Sequence, residues 1–190
     1  MKTSLGPKTL ASPAPVWVVC AYDANGRATG ATIAWGSICC SNPPSLAVSL
    51  RSATQTHGLV KAAKAFTVNI PGQTQAALAD YFGMVSGRDA DKFAATRLTA
   101  VKSDLVAAPY IEEFPLVFEC ALTHVAELGL HTQFVGEIKD VKADPAILDP
   151  AGKIDIQKLG AVMFSPATRQ YYGLGPFLGA GFSIGGVWKK

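Results

Sequence analysis

The sequence predicts a mainly β protein with inserted helices, folded as a small antiparallel barrel. Three observations support this. About seven short segments have the length and the β-branched or aromatic content of strands. Helical patterns fall singly between strands and do not alternate with each one, which argues against a doubly wound parallel sheet. Asn25-Gly26 sits between two strand-like segments and is a hairpin signal.

Residues 15–22 form the first strand, Asp23-Ala24-Asn25-Gly26 the turn, and residues 28–35 the return strand. Gly36-Ser37 opens a loop that Asn42-Pro43-Pro44 closes, because two prolines fix φ and donate nothing to a ladder. Residues 46–50 are an almost continuous apolar run, expected to be buried on both faces. Arg51, Ser52, Ala53, Thr54, Gln55 and Thr56 then lead into a helix marked by Leu59, Val60 and Ala63. Residues 66–70 alternate, sending Phe66, Val68 and Ile70 to the core and Thr67 and Asn69 to a polar face that meets either ligand or water.

Thr74 is placed to cap a helix carrying Ala77, Leu78, Tyr81 and Phe82. Ser86-Gly87-Arg88-Asp89 fits a Ser-x-x-Asp helix start ahead of Lys92 and Phe93. Residues 98–110 show no firm period and are expected to be irregular. Leu116, Phe118, Cys120 and Leu122 alternate along a strand that continues toward Leu128, with residues 133–141 returning across a turn at 129–132. Residues 144–156 are expected as a surface loop and 161–164 as a last short strand. The chain reads as one domain, 1–190, with a peripheral arm at 1–14 and a glycine-rich segment at 171–190.

Hydrophobic residues make up 49% and charged ones 16%, leaving apolar surface for a subunit interface. The net charge of +3 is interspersed, which gives no case for nucleic acid or an anionic membrane. No apolar run approaches the roughly 20 residues of a membrane helix, and a cytoplasmic location is the expectation. Cys20, Cys39, Cys40 and Cys120 make no Cys-x-x-Cys, and His57, His124 and His131 are isolated, so no metal site is expected. There is no Gly-x-Ser-x-Gly elbow, and Glu112-Glu113 reads as a solvated strand entry. The chain therefore supplies no evident nucleophile or acid–base pair of its own.

The residues with chemical potential cluster at the helix start after Arg51. A helix N-terminus offers unpaired N–H groups, Arg51 a fork of donors, and Ser52, Thr54 and Thr56 hydroxyls. Two readings stay open there: a phosphate site, or an ordinary threonine N-cap beside a solvated arginine. Lys92 likewise reads either as a second cation for the same anion or as part of a solvated charged helix with Arg88, Asp89 and Asp91.

Several stretches, in one order along most of the chain, resemble the flavin reductase-like, FMN-binding split-barrel family. They are Ala34-Trp35-Gly36-Ser37-Ile38-Cys39-Cys40-Ser41 with Pro43-Pro44, Val48-Ser49-Leu50-Arg51-Ser52-Ala53-Thr54, and Phe66-Thr67-Val68-Asn69-Ile70-Pro71. The similarity continues through Asp80-Tyr81-Phe82-Gly83, Ser86-Gly87-Arg88-Asp89-Ala90-Asp91-Lys92-Phe93 and Leu130 to Ile138, and is closest to the flavoredoxin branch.

The resemblance implies a split barrel that pairs as a homodimer with FMN near the interface. It places Arg51, Ser52, Ala53, Thr54, Thr56 and Lys92 around the phosphate, and Thr32, Ala34, Trp35, Ser37, Cys39, Cys40 and Ser41 around the isoalloxazine. His131 corresponds to a position near the flavin or nicotinamide, with a hydrogen-bonded turn histidine as the alternative. Cys39 and Cys40 are expected to shape or pack that loop without thiol chemistry. The expected function is electron transfer through tightly bound, noncovalent FMN, fed by a redox partner protein or by NAD(P)H. The alternatives are an NAD(P)H-dependent flavin reductase and a non-redox binder of another phosphorylated ligand.

Overall fold

The computed structural model describes residues 1–189. In chain order these form β1 (Ala14–Pro15), β2 (Trp17–Tyr22), β3 (Ala28–Ile33), β4 (Gly36–Ser41), β5 (Pro44–Arg51), α1 (Gln55–Ala63) and β6 (Ala65–Ile70). Next come α2 (Ala76–Met84), α3 (Lys92–Thr96), the hairpin β7 (Ala100–Lys102) and β8 (Pro109–Ile111), and the long hairpin β9 (Leu116–Glu127) and β10 (His131–Ala143). α4 (Ile156–Leu159), β11 (Met163–Ser165) and β12 (Gln170–Tyr172) complete the set.

The main sheet is seven-stranded and antiparallel, ordered β3-β2-β6-β9-β10-β5-β4. It curls until its two ends approach: Ser49 N donates to Trp35 O at 2.9 Å, holding the β3–β4 link against β5. β3 and β5 pack together without forming a ladder. This is the mainly β, antiparallel barrel that the sequence predicts, in the split form that the family resemblance implies. β4 forms the open edge, and its residues after Gly36 are all exposed. No helix among the described residues is long and apolar enough to cross a membrane.

Strand periodicity builds two cores back to back. Val19 and Ala21 of β2 face the barrel interior with Leu46, Val48, Phe66, Val68, Cys120 and Phe134, while Val18 and Cys20 face outward against Ala79, Phe82 and Phe93. β2 is thus buried on both faces, and α2 and α3 are fixed to its outer side. Phe66, Phe82 and Phe134 are essentially inaccessible, each contributing roughly 1.5–3 kcal/mol by burial. Gly136, at a register shift in β10, lies where a Cβ would come within 2.6 Å of Phe66 Cζ. A larger residue there would drive that ring from the core.

Several expectations need correction. Residues 36–41 are a strand, with Ser37 paired to Ala47 and Ile38 to Leu46. The prolines occupy the hairpin turn and the first position of β5, where their missing donors cost nothing. Thr74 lies within a 3-10 turn (Gln73–Gln75), and Gln75 Oε1 accepts from Gly72 N at 2.8 Å. Ser86 closes its own turn by accepting from Asp89 N at 3.0 Å. The helix starts later, at Lys92, where the Asp91 carboxylate accepts from Ala94 N at 3.0 Å.

Asn69 meets neither ligand nor water, being fully buried. Its Nδ2 donates to Val18 O at 3.0 Å and its Oδ1 accepts from Ile111 N at 2.8 Å. With Thr67, which donates to Pro109 O at 2.6 Å, it anchors β8 and so converts part of the expected irregular stretch into a hairpin. The loop at 144–156 buries Ile147 and runs into α4, whose Leu159 is also buried.

Candidate functional site

The site forms where the two ends of the sheet approach. Arg51 ends β5, and Thr54 N-caps α1: its hydroxyl accepts from His57 N at 3.3 Å and donates to Arg51 O at 2.9 Å. Thr54 is therefore fully engaged as a cap, while the N–H groups of Gln55 and Thr56 lie in the unsatisfied first turn. The Arg51 guanidinium is exposed and forms no ion pair among the described residues.

Facing α1 is the segment from the end of α2 to α3. Arg88 Nη1 donates to Ala53 O at 3.0 Å and Arg27 Nη2 to Gly87 O at 3.3 Å, tying the Ser86–Arg88 turn over the helix start. A cavity of about 290 Å³ lies between, lined by Arg51, Gln55, Thr56, Ser86, Gly87 and Lys92 among others.

Lys92 is 3% exposed and donates to Gly30 O and Phe82 O, each at 2.7 Å. It is not the solvated helix lysine that the local charge pattern allows. An ammonium has three donors, so one remains beyond these two carbonyls, in a side chain that lines the cavity. Burial pulls its pKa down from 10.5 to about 8, with Cys20 beside it acting in the opposite direction. The Cys20 thiol is itself pushed far up by burial.

The cavity opens into a groove of about 280 Å³ that shares Ala31, Thr32, Arg51, Thr54 and Gly83 with it and adds Trp35 and His131. The Trp35 and His131 rings lie 4.5 Å apart, tilted by 46°. His131 pairs directly with Arg51 across β10 and β5, so it begins a strand and is not a turn residue. Burial first, and the Arg51 charge second, hold its pKa below the usual histidine value. Among the described residues, no acidic side chain lines either cavity. The arrangement suits an anion at one end and a flat ring at the other.

Of the residues singled out in the sequence, Thr32, Ala34, Trp35, Arg51, Ala53, Thr54, Thr56, Lys92 and His131 line these two spaces. Thr32 is committed, its hydroxyl donating to Ala79 O. Ser37, Cys39, Cys40 and Ser41 line neither space, because β4 runs away from the groove along β5; Ser52 also stays outside. Cys39 and Cys40 are exposed and pack against nothing in their own chain's core. Gln55, Gly83, Ser86 and Gly87 line the cavity without having been picked out as ligand-facing. Gln55 was detectable only as the residue after a helix cap. Gly87 is favoured by space, since a Cβ there would run into the buried Thr29 hydroxyl and the end of the Gln55 side chain.

Residues 10–157 match the flavin reductase like domain. The chain belongs to this family. It is 48% identical to the flavoredoxin of Desulfovibrio vulgaris (Miyazaki F), with a TM-score of 0.93 over 97% of this chain and 100% of that one. It is 31% identical over 133 residues to the NADH:riboflavin 5'-phosphate oxidoreductase of Streptomyces pristinaespiralis, covering 70% of this chain and 73% of that protein. It is also 30% identical over 102 residues to the high molecular weight rubredoxin of Moorella thermoacetica, covering 53% of this chain. The chain spans only 43% of that last relative.

Proposed function

We propose that the chain is an FMN-binding electron-transfer flavoprotein of the flavoredoxin type. The observation that carries this is the acid-free basic cavity opening directly into a groove bounded by Trp35 and His131. Its donor chemistry fits a phosphate monoester: Arg51, the remaining N–H of Lys92, and the first-turn amides of α1. When bound, FMN supplies the electron chemistry, and the polypeptide supplies binding and electrostatics. Arg51 and Lys92 hold the charged end. Trp35 and His131, packed on one another, would form one wall of the groove for the planar end, excluding water there.

The chain carries electrons between a donor and an acceptor without releasing its flavin. Nicotinamide-driven reduction is the second reading, supported by the likeness to the Streptomyces oxidoreductase. The purified protein is expected to be yellow, with heat releasing noncovalent FMN. Mixed anaerobically with NADH or NADPH, it should bleach slowly, and rapidly with a low-potential protein donor. Fast bleaching by a nicotinamide, with many turnovers of added free FMN, would establish the reductase instead.

The working form in this proposal is a homodimer. β4 is an open edge strand with Ile38 58% exposed, and the C-terminal segment exposes Phe177, Leu178, Phe182 and Trp188. A second copy is the simplest cover for such an edge and tail. Sedimentation at micromolar concentration should give twice the chain mass; a monomer that still binds FMN tightly would refute the dimer.

A further inference from the structure

The cavity at the start of α1 and the groove beside Trp35 and His131 share Ala31, Thr32, Arg51, Thr54 and Gly83. Ala53, Gln55, Ser86 and Gly87 line the cavity alone, and so form the end remote from the two rings. Two walls meet at that end. One is the link from β5 into α1, and the other is the turn between α2 and α3. Arg88 joins them: from the turn, its Nη1 donates to Ala53 O at 3.0 Å.

The turn is fastened again from a different direction. Arg27, in the link between β2 and β3, donates from Nη2 to Gly87 O at 3.3 Å. Asp23 holds Arg27 in place, with Oδ2 accepting from Arg27 Nε at 3.2 Å and Oδ1 from Arg27 N at 2.9 Å. Within the turn, Ser86 O accepts from Asp89 N at 3.0 Å and from Ala90 N at 3.2 Å. Gly87 rests against buried Thr29 and the end of Gln55, in a space too small for a Cβ. The backbone is thus pressed onto its wall and kept there by guanidinium–carbonyl bonds, which are stronger than neutral ones.

A ligand with its ring by Trp35 and its phosphate between Arg51 and Lys92 aims that phosphate at the fastened end. A phosphate monoester stops there. A pyrophosphate-linked ligand continues, and its path leads between Ala53 and Gly87, where the Arg88 bond stands. We infer that Arg88 and Arg27 are specificity-determining residues: they strap the α2–α3 turn across the cavity, so that the site takes a flavin mononucleotide and rejects a flavin dinucleotide. The inference rests on the proposed function for the identity of the ligand. Neither arginine has to touch the flavin; each acts by holding the turn.

Each strap has to break to admit the longer ligand, and a hydrogen bond from a charged group corresponds to about tenfold in affinity. The test titrates the flavin-free full chain calorimetrically with FMN, FAD and riboflavin. The wild type should bind FMN about a hundredfold more tightly than FAD. Arg88→Ala should tighten FAD by about tenfold, Arg27→Ala should do the same, and the double variant should bind the two nucleotides nearly alike. Riboflavin, which has no phosphate, reports in each variant that the ring end is intact. The direction of the change separates a strap from a simple charge. A lost cation that acted only by charge would weaken FMN and FAD together, whereas a lost strap tightens FAD. FAD binding that is unchanged or weaker in the double variant, or a wild type that does not prefer FMN, would overturn the strap and leave the FMN reading standing. A chain that takes up none of the three flavins would overturn the flavin reading, and the strap's part in flavin choice with it.

Discussion

Arg51→Ala should weaken FMN binding by about ten- to a hundredfold while leaving riboflavin almost unchanged. The reason is chemical: the two ligands differ only in the phosphate, and a hydrogen bond to a charged group contributes roughly 1.5–3 kcal/mol. Arg51 is exposed, ends its strand and has no carboxylate partner among the described residues, so its truncation should cost the fold little. Loss of its charge should also allow the His131 pKa to rise, since Arg51 contributes to holding it down. Flavin-fluorescence quenching titrations with FMN and with riboflavin give both constants directly. Equal losses for the two flavins would show that Arg51 does not hold the phosphate.

Lys92→Met should have the other large effect, and it carries a pH signature that Arg51 lacks. With its pKa near 8, Lys92 is charged at neutral pH and loses its proton as pH rises through that value. The second phosphate ionisation is complete by about pH 7, so the ligand's own charge is then constant. The preference for FMN over riboflavin should therefore stay constant up to about pH 8 and fall as pH rises beyond it in the wild type, and should be low and flat in Lys92→Met.

The stability of the ligand-free protein should move the opposite way. The folded pKa lies below the unfolded one, so the unfolded chain binds more protons between about 8 and 10.5. The cost of burying the charge thus fades as pH rises across that window. Lys92→Met abolishes this rise, but it leaves Gly30 O and Phe82 O without their donor, a loss of about 1–3 kcal/mol for each buried group. Thermal melts across the range, read beside the titrations, separate the two contributions. A flavin preference that stays constant with pH in the wild type would remove Lys92 from the phosphate site.

Local sequence carried much of the site. Arg51, Thr54 and the start of α1 are contiguous, and a strand end followed by a threonine cap is visible in the chain itself. The alternation at 66–70 and 116–122 likewise placed β6 and the first half of β9 on the correct faces. What misled was every position whose fate depends on a distant partner. Asn69 sits on a polar face by periodicity, yet β8, some forty residues later, covers it. Lys92 sits in a charged stretch and would be solvated there, yet α2 and β3 present it with two carbonyls. Residues 36–41 contain glycine, serine and two cysteines and look like loop, yet an apolar neighbour strand with free backbone groups draws them into the sheet.

The sequence by itself determined the antiparallel, mainly β character, the Asn-Gly hairpin, and the capped helix that follows Arg51. Each of these is written in side-chain period or backbone preference over fewer than about ten residues. Only the tertiary structure decided which of those residues are free to meet a ligand. It spent Thr54 on a helix cap and Thr32 on α2, left Arg51 exposed at the end of β5, buried Lys92 with one donor to spare, and set Trp35 against His131. The physical reason is that a polar group's availability is what remains after its neighbours have taken their hydrogen bonds. Those neighbours come from segments that the chain order does not place together.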